Sequence, residues 1–78
     1  MKKAYTVYKS FKGRKHYLVF TGTWVSQDMV KAACRYFRCG EKNIYIQESW
    51  IYKDELYFDD PEIKGSKPVV VISHFRKA

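Results

Sequence analysis

Residues 26–40 read SQDMVKAACRYFRCG, and their spacing decides the fold. Ser26 offers a side-chain oxygen where a helix N-terminus needs a cap, and Asp28 puts a negative charge in the first turn, where the helix dipole favours it. Gly40 supplies the left-handed residue with which helices commonly end. The stretch therefore predicts one helix over residues 27–39. At about 100° per residue, Met29, Val30, Ala33, Cys34, Tyr36 and Phe37 fall in one arc, while Gln27, Lys31, Arg35 and Arg38 fall opposite. The helix is amphipathic, and its wet side is basic.

On the N-terminal side of this helix, residues 4–11 (AYTVYKSF) and 16–22 (HYLVFTG) are short, β-branched and aromatic, and residues 12–15 (KGRK) turn between them. Two strands and a tight hairpin follow. A two-residue loop Gly13-Arg14, with the glycine supplying the positive φ of a type II′ turn, would set Phe11 opposite His16, Val7 opposite Phe20 and Tyr8 opposite Val19. Alternation puts Tyr5, Val7, Phe11, Leu18 and Phe20 on one face. Thr6, Tyr8, Ser10, Tyr17, Val19 and Thr21 take the other.

On the C-terminal side, residues 43–52 (NIYIQESWIY) alternate, with Ile44, Ile46 and Trp50 on one face. Lys53-Asp54 is turn-like, and residues 56–59 (LYFD) complete a second hairpin. Asp59-Asp60-Pro61 and Gly65-Ser66-Lys67-Pro68 bracket a polar loop. The run Val69-Val70-Val71-Ile72, apolar on both faces, reads as a central strand before Ser73-His74-Phe75. The order β-β-α-β-β-β predicts an α+β fold: one domain over residues 1–78, built as an antiparallel sheet of four to five strands with one helix packed on one face. A single helix of about three turns covers only one side of such a sheet. The other side, carrying Tyr8, Tyr17 and Val19, would then face water, a target or a second copy of the chain.

Seventy-eight residues with 46% hydrophobic content exclude a disordered tail, because so much apolar surface collapses. The 18% aromatic content supplies the large side chains a small core needs. No apolar run reaches the roughly 18 residues of a membrane span. The start Met1-Lys2-Lys3 leads into polar Tyr5-Thr6 rather than a signal-peptide core, so a cytoplasmic, membrane-free protein is expected.

The charge is segregated. Residues 1–38 carry Lys2, Lys3, Lys9, Lys12, Arg14, Lys15, Lys31, Arg35 and Arg38 against Asp28 alone, a balance of +8. Residues 39–66 balance at −4 and residues 67–78 at +3, giving +7 in all. Segregated positive charge suits a polyanion, since each phosphate contact releases condensed counterions and the gain accumulates along the backbone. Two patches qualify: the hairpin tip Lys12-Gly13-Arg14-Lys15, and the helix stripe Lys31, Arg35, Arg38, spaced four and three apart along one helix face. Tyr8 and Tyr17 on the uncovered sheet face could stack on unpaired bases, or could simply be cross-strand partners. No ribonucleoprotein signature of the form [K/R]-G-[F/Y]-[G/A]-F-V-x-[F/Y] is present.

Catalytic and metal signatures are absent. Cys34 and Cys39, far in sequence from His16 and His74, have none of the short spacings of a zinc site, and neither resembles an activated nucleophile. They read as reduced thiols. No Gly-rich phosphate loop, HExxH or Gly-x-Ser-x-Gly occurs. The remaining catalytic reading is a small metal-independent ribonuclease, with His74 or His16 as general base, Arg76, Lys77 or Arg14 on the phosphorane and Tyr17 nearby.

In size, composition and element order, with its Met1-Lys2-Lys3 start, its first hairpin, its basic helix and its later strands, the whole chain resembles the small early proteins with which T4-like tailed phages disarm host defences. The antitoxin-like proteins Dmd and TifA belong to that group. The resemblance implies an inhibitor of toxin ribonucleases acting in the host cytoplasm, and the association of TifA with RNA suits the charge found here. Small anti-CRISPR proteins share the same general look, which leaves a purely protein-directed inhibitor, meeting a basic nuclease through the sheet face or the acidic stretch 54–62, as the alternative.

The expectation is therefore a non-catalytic, cofactor-free, metal-free binding protein. Its partners would be RNA or another nucleic acid and a host nuclease or toxin. Its contact residues would be Lys9, Lys12, Arg14, Lys15, Lys31, Arg35, Arg38, Tyr8 and Tyr17.

Overall fold

The computed structural model describes residues 1–71 and 76–77. The order is β1 (Lys2–Phe11), β2 (Arg14–Thr21), α1 (Gln27–Phe37), a 3₁₀ turn (Glu41–Asn43), β3 (Tyr45–Tyr52), β4 (Glu55–Tyr57), β5 (Val70–Val71) and β6 (Arg76–Lys77). The central strands run antiparallel in the order β2-β1-β3-β4, and α1 packs on one face, so the fold is the expected α+β arrangement. Two-residue β5 and β6 extend the two edges, β6 running parallel to β2. Among the described residues no helix is long and apolar enough to cross a membrane.

The first hairpin turns one residue earlier than expected. Phe11 pairs with Arg14 across Lys12-Gly13, whose φ values of 50° and 79° are both positive, as a type I′ turn requires. This handedness matches the twist of the strands, and a left-handed Lys12 is the cost. Val7 therefore faces Leu18 rather than Phe20, and Tyr8 faces Tyr17 rather than Val19. The slip is two residues, so every side chain keeps its predicted face.

Ser26 caps α1 as expected, its Oγ accepting from the Met29 N–H at 3.1 Å. The helix ends earlier, however. Arg38, not Gly40, takes the left-handed conformation (φ 55°, ψ 48°), and Gly40 is extended. The Cys39 N–H then closes onto the Cys34 carbonyl at 3.1 Å. Met29, Val30 and Ala33 bury against Val7, Leu18, Phe20 and Ile44, with Phe37 and Cys34 at the margin. Tyr36, predicted on the apolar arc, is exposed, because the buried stripe follows Met29, Ala33 and Phe37 and leaves it at the border.

Two further expectations are corrected on the second face. The described part of the apolar run, Val69 to Val71, is not a central strand: Val70–Val71 lies at the edge, bonded to β4, with the Val69 N–H donating to the Leu56 carbonyl at 2.7 Å. Residues 72–75, His74 among them, lie outside the described residues. Nor is the face opposite α1 open. Ala4, Val19, Ile51 and Leu56 form a second buried cluster with Phe58 against it, and Val19 is only 5% exposed.

The reason is curl. Val71 and Arg76 are five residues apart in sequence, a reach of at most about 18 Å, yet their strands lie on opposite edges, which in a flat sheet would be about 24 Å apart. The sheet rolls away from the helix and closes on its own concave face, so one helix suffices for both sides.

Within that concave core the Thr6 and Ser49 hydroxyls lie 2.8 Å apart, both fully buried. Ser49 spends its single proton on the Gln47 carbonyl at 2.8 Å, so Thr6 is the donor to Ser49. The chain Thr6 to Ser49 to Gln47 satisfies both hydroxyls.

Candidate nucleic-acid interface

The register of β1 and β2 sorts the hairpin's side chains. Lys9 pairs with His16 and Phe11 with Arg14, and these four share the helix side of the sheet. Ser10 and Lys15 point to the other side, with Tyr8 and Tyr17. Because α1 crosses the helix side with its C-terminal end toward the hairpin, Tyr36, Phe37 and Arg38 meet Lys9, Phe11 and His16 around one open groove of about 470 Å³. Sequence reasoning named Lys9 and Arg38 as contact residues without relating one to the other. The fold brings them to one site.

The groove is both aromatic and cationic. Phe11 meets His16 edge-on with centroids 6.4 Å apart, and Tyr36 stands at 85° to Phe37 at 5.0 Å. Phe37 is packed against the core, so it holds Tyr36 from below. The ammonium groups of Lys9 and Lys12 lie 5.8 and 5.5 Å from the Phe11 centroid. Among the described residues the one ion pair is Lys3 with Glu48, at 3.2 Å. Among the described residues no cation of the groove or the hairpin tip has a carboxylate within 4 Å, which leaves their field directed outward.

Tyr36 is also a wall between two grooves. A smaller one of about 310 Å³, lined by Leu18, Phe20, Ala32, Arg35 and Tyr36, continues the first along the junction of helix and sheet. Arg38 and Arg35 thus flank the Tyr36 ring, one on each groove. Lys31 lies apart. It lines a third groove of about 430 Å³ with Cys34, Arg35, Cys39, Gly40 and Glu41, whose carboxylate tempers the positive field there.

Lys15, Tyr8 and Tyr17 do not join the site. Tyr8 and Tyr17 are direct cross-strand partners with centroids 5.9 Å apart, Tyr45 stacks on Tyr8 at 5.4 Å, and Lys15 lies 5.4 Å from the Tyr8 ring. Tyr17 also meets Phe58 at 6.2 Å. Tyr8 and Tyr17 are half-buried in these ring contacts, while Tyr45 stays exposed.

Phe11, Tyr36 and His16 are the groove residues that the charge pattern did not select. Their sequence signal is adjacency: Phe11 directly precedes Lys12, and Tyr36 sits between Arg35 and Phe37-Arg38.

Elsewhere, burial first, then the Cys39 thiol and the Glu41 carboxylate, push the Cys34 thiol above its ordinary value, away from thiolate chemistry. Among the described residues no three His, Cys, Asp or Glu side chains gather as metal ligands. His16, which shares the groove with Lys9 and Arg38, is on the opposite sheet face from Tyr17, so that proposed catalytic pairing does not form.

Comparison with protein-family models, characterised proteins and solved structures returns no match.

Proposed function

We propose that this chain is a non-catalytic RNA-binding protein whose interface is the groove between the β1–β2 hairpin and the C-terminal end of α1. The observation that carries this reading is the convergence of Lys9 and Arg38 with the exposed rings of Phe11 and Tyr36, in a half of the chain that carries +8 and offers no carboxylate to the groove cations. Polyanion binding explains why these cations are left unpaired. The biological setting comes from the resemblance to phage counter-defence proteins: by occupying RNA or an RNA-bound nuclease, the protein neutralises a toxin ribonuclease.

Titration of a labelled RNA at several salt concentrations tests the reading. With five phosphate contacts, from Lys9, Lys12, Arg14, Arg35 and Arg38, the slope of log K against log salt should be about −3.5. Arg35→Glu/Arg38→Glu should weaken binding strongly with an unchanged circular dichroism spectrum, since both side chains are exposed, while Lys31→Glu, in a separate groove, should weaken it less. Absence of binding even at low salt would remove nucleic acid from the function. In that case a pull-down that survives ribonuclease treatment would favour the protein-directed inhibitor, with the acidic stretch 54–62 as its surface.

A further inference from the structure

We infer that the groove is built for unpaired nucleotides, so that the ligand is single-stranded RNA with a base against the Phe11 and Tyr36 rings and its flanking phosphates on Lys9 and Arg38. This rests on the RNA-binding reading and goes beyond it. Charge alone would accept any polyanion, duplex or single strand. The rings would not.

A chain this small needs its aromatic residues in the core, yet Phe11 and Tyr36 are each 55% exposed, and both line the same groove. Their positions are also supported. Tyr36 is held at 85° by Phe37, itself packed on the core, and Phe11 lies edge-on to His16. Such rings are preformed platforms that lose little freedom on binding. A base has a π-face to stack on them only when it is unpaired and splayed, because in a duplex each base is already stacked on its neighbours. In the free protein Lys9 and Lys12 lie near the Phe11 ring, in exposed contacts that an incoming base can displace while the same ammonium groups turn to its phosphates.

The excess of positive charge argues for a nucleic-acid strand over a protein surface. His16 in the same groove argues for RNA: an imidazole can donate to or accept from a ribose 2′-hydroxyl, the group that separates RNA from DNA.

The experiment compares three probes at one salt concentration: an unstructured ten-nucleotide RNA, the same strand fully paired to its complement, and the DNA of the same sequence. Wild-type protein should bind the single-stranded RNA tightest. Phe11→Ala and Tyr36→Ala should each weaken that binding by about tenfold, the scale of one lost base stack, while leaving duplex binding within about twofold and the salt slope unchanged, because no phosphate contact is removed. Phe11→Tyr should retain the affinity that Phe11→Leu loses. Both positions are exposed, so the variants should fold, and their melting curves are the control.

If Lys9→Glu/Arg38→Glu weakens every probe while the ring variants weaken none, the groove binds by charge alone. The single-strand inference then falls, and the RNA-binding reading stands. Duplex bound more tightly than single strand would also overturn the inference. Equal affinity for the DNA strand would overturn its RNA component, and no binding of any probe at low salt would overturn both readings.

Discussion

Tyr17 and Phe58 meet with ring centroids 6.2 Å apart, although β1 and β3 lie between β2, which carries Tyr17, and β4, which Phe58 follows. Three flat strand spacings would separate their backbones by about 14 Å. Their contact is therefore a direct measure of how far the sheet has curled, and it closes the concave core that buries Val19 and Leu56.

A double-mutant cycle with Tyr17→Ala and Phe58→Ala, read by urea unfolding, should give a coupling of about 0.5–1.5 kcal/mol, the usual value of an aromatic pair. Val19→Asp should cost about 3 kcal/mol or more, because it buries an unpaired charge. A fully stable Val19→Asp variant would mean that the concave face is open after all.

The Thr6–Ser49–Gln47 chain predicts an asymmetry. Ser49→Ala leaves the buried Thr6 donor without a partner and should cost about 1–3 kcal/mol. Thr6→Val leaves Ser49 still bonded to Gln47 and should cost less, about 1 kcal/mol or below. Equal losses in denaturant titrations would show that the proton is shared differently.

Lys53 and Asp54 form the second type I′ turn, with φ of 52° and 62°, and neither is glycine. Left-handed conformation in such residues carries strain, so Lys53→Asn/Asp54→Gly should raise stability by about 1 kcal/mol. An unchanged urea midpoint would indicate that the turn is already relaxed.

The raised Cys34 thiol predicts a pH dependence. Burial, the Cys39 thiol and the Glu41 carboxylate favour the protonated form in the folded state. The contribution to stability is therefore fully present below the thiol's unfolded pKa and lost as pH rises through the folded one. In Cys39→Ser protein, the rate of Cys34 alkylation should rise with pH along a curve displaced upward from that of the urea-unfolded chain. Coincident curves would overturn the assignment.

His16 supplies the one imidazole of the groove, with no carboxylate lining it to orient the ring and with Tyr17 on the other face. Labelled RNA incubated with pure protein should remain intact. Cleavage that disappears in His16→Ala would promote the ribonuclease reading.

What could be read from the sequence was what is local. The alternation of residues 4–11 and 16–22 assigned each side chain to a face, and Met29, Val30 and Ala33 marked the buried stripe of α1, because side-chain direction repeats with the geometry of a single element. The cationic half was likewise plain from Lys2 to Arg38. The register of the first hairpin was not, because it depended on whether Lys12 or Arg14 would accept turn geometry, a choice between neighbouring conformations of similar energy.

The site lay further beyond reach. Lys9 and Arg38 are 29 positions apart in sequence, and their meeting depends on where α1 stops and how it crosses the sheet. The fate of Tyr8, Tyr17 and Val19 was likewise a tertiary outcome. A flat sheet would expose them, and only the accumulated twist of four strands brings β4 round to β2, turning a face that local pattern reads as open into a second core.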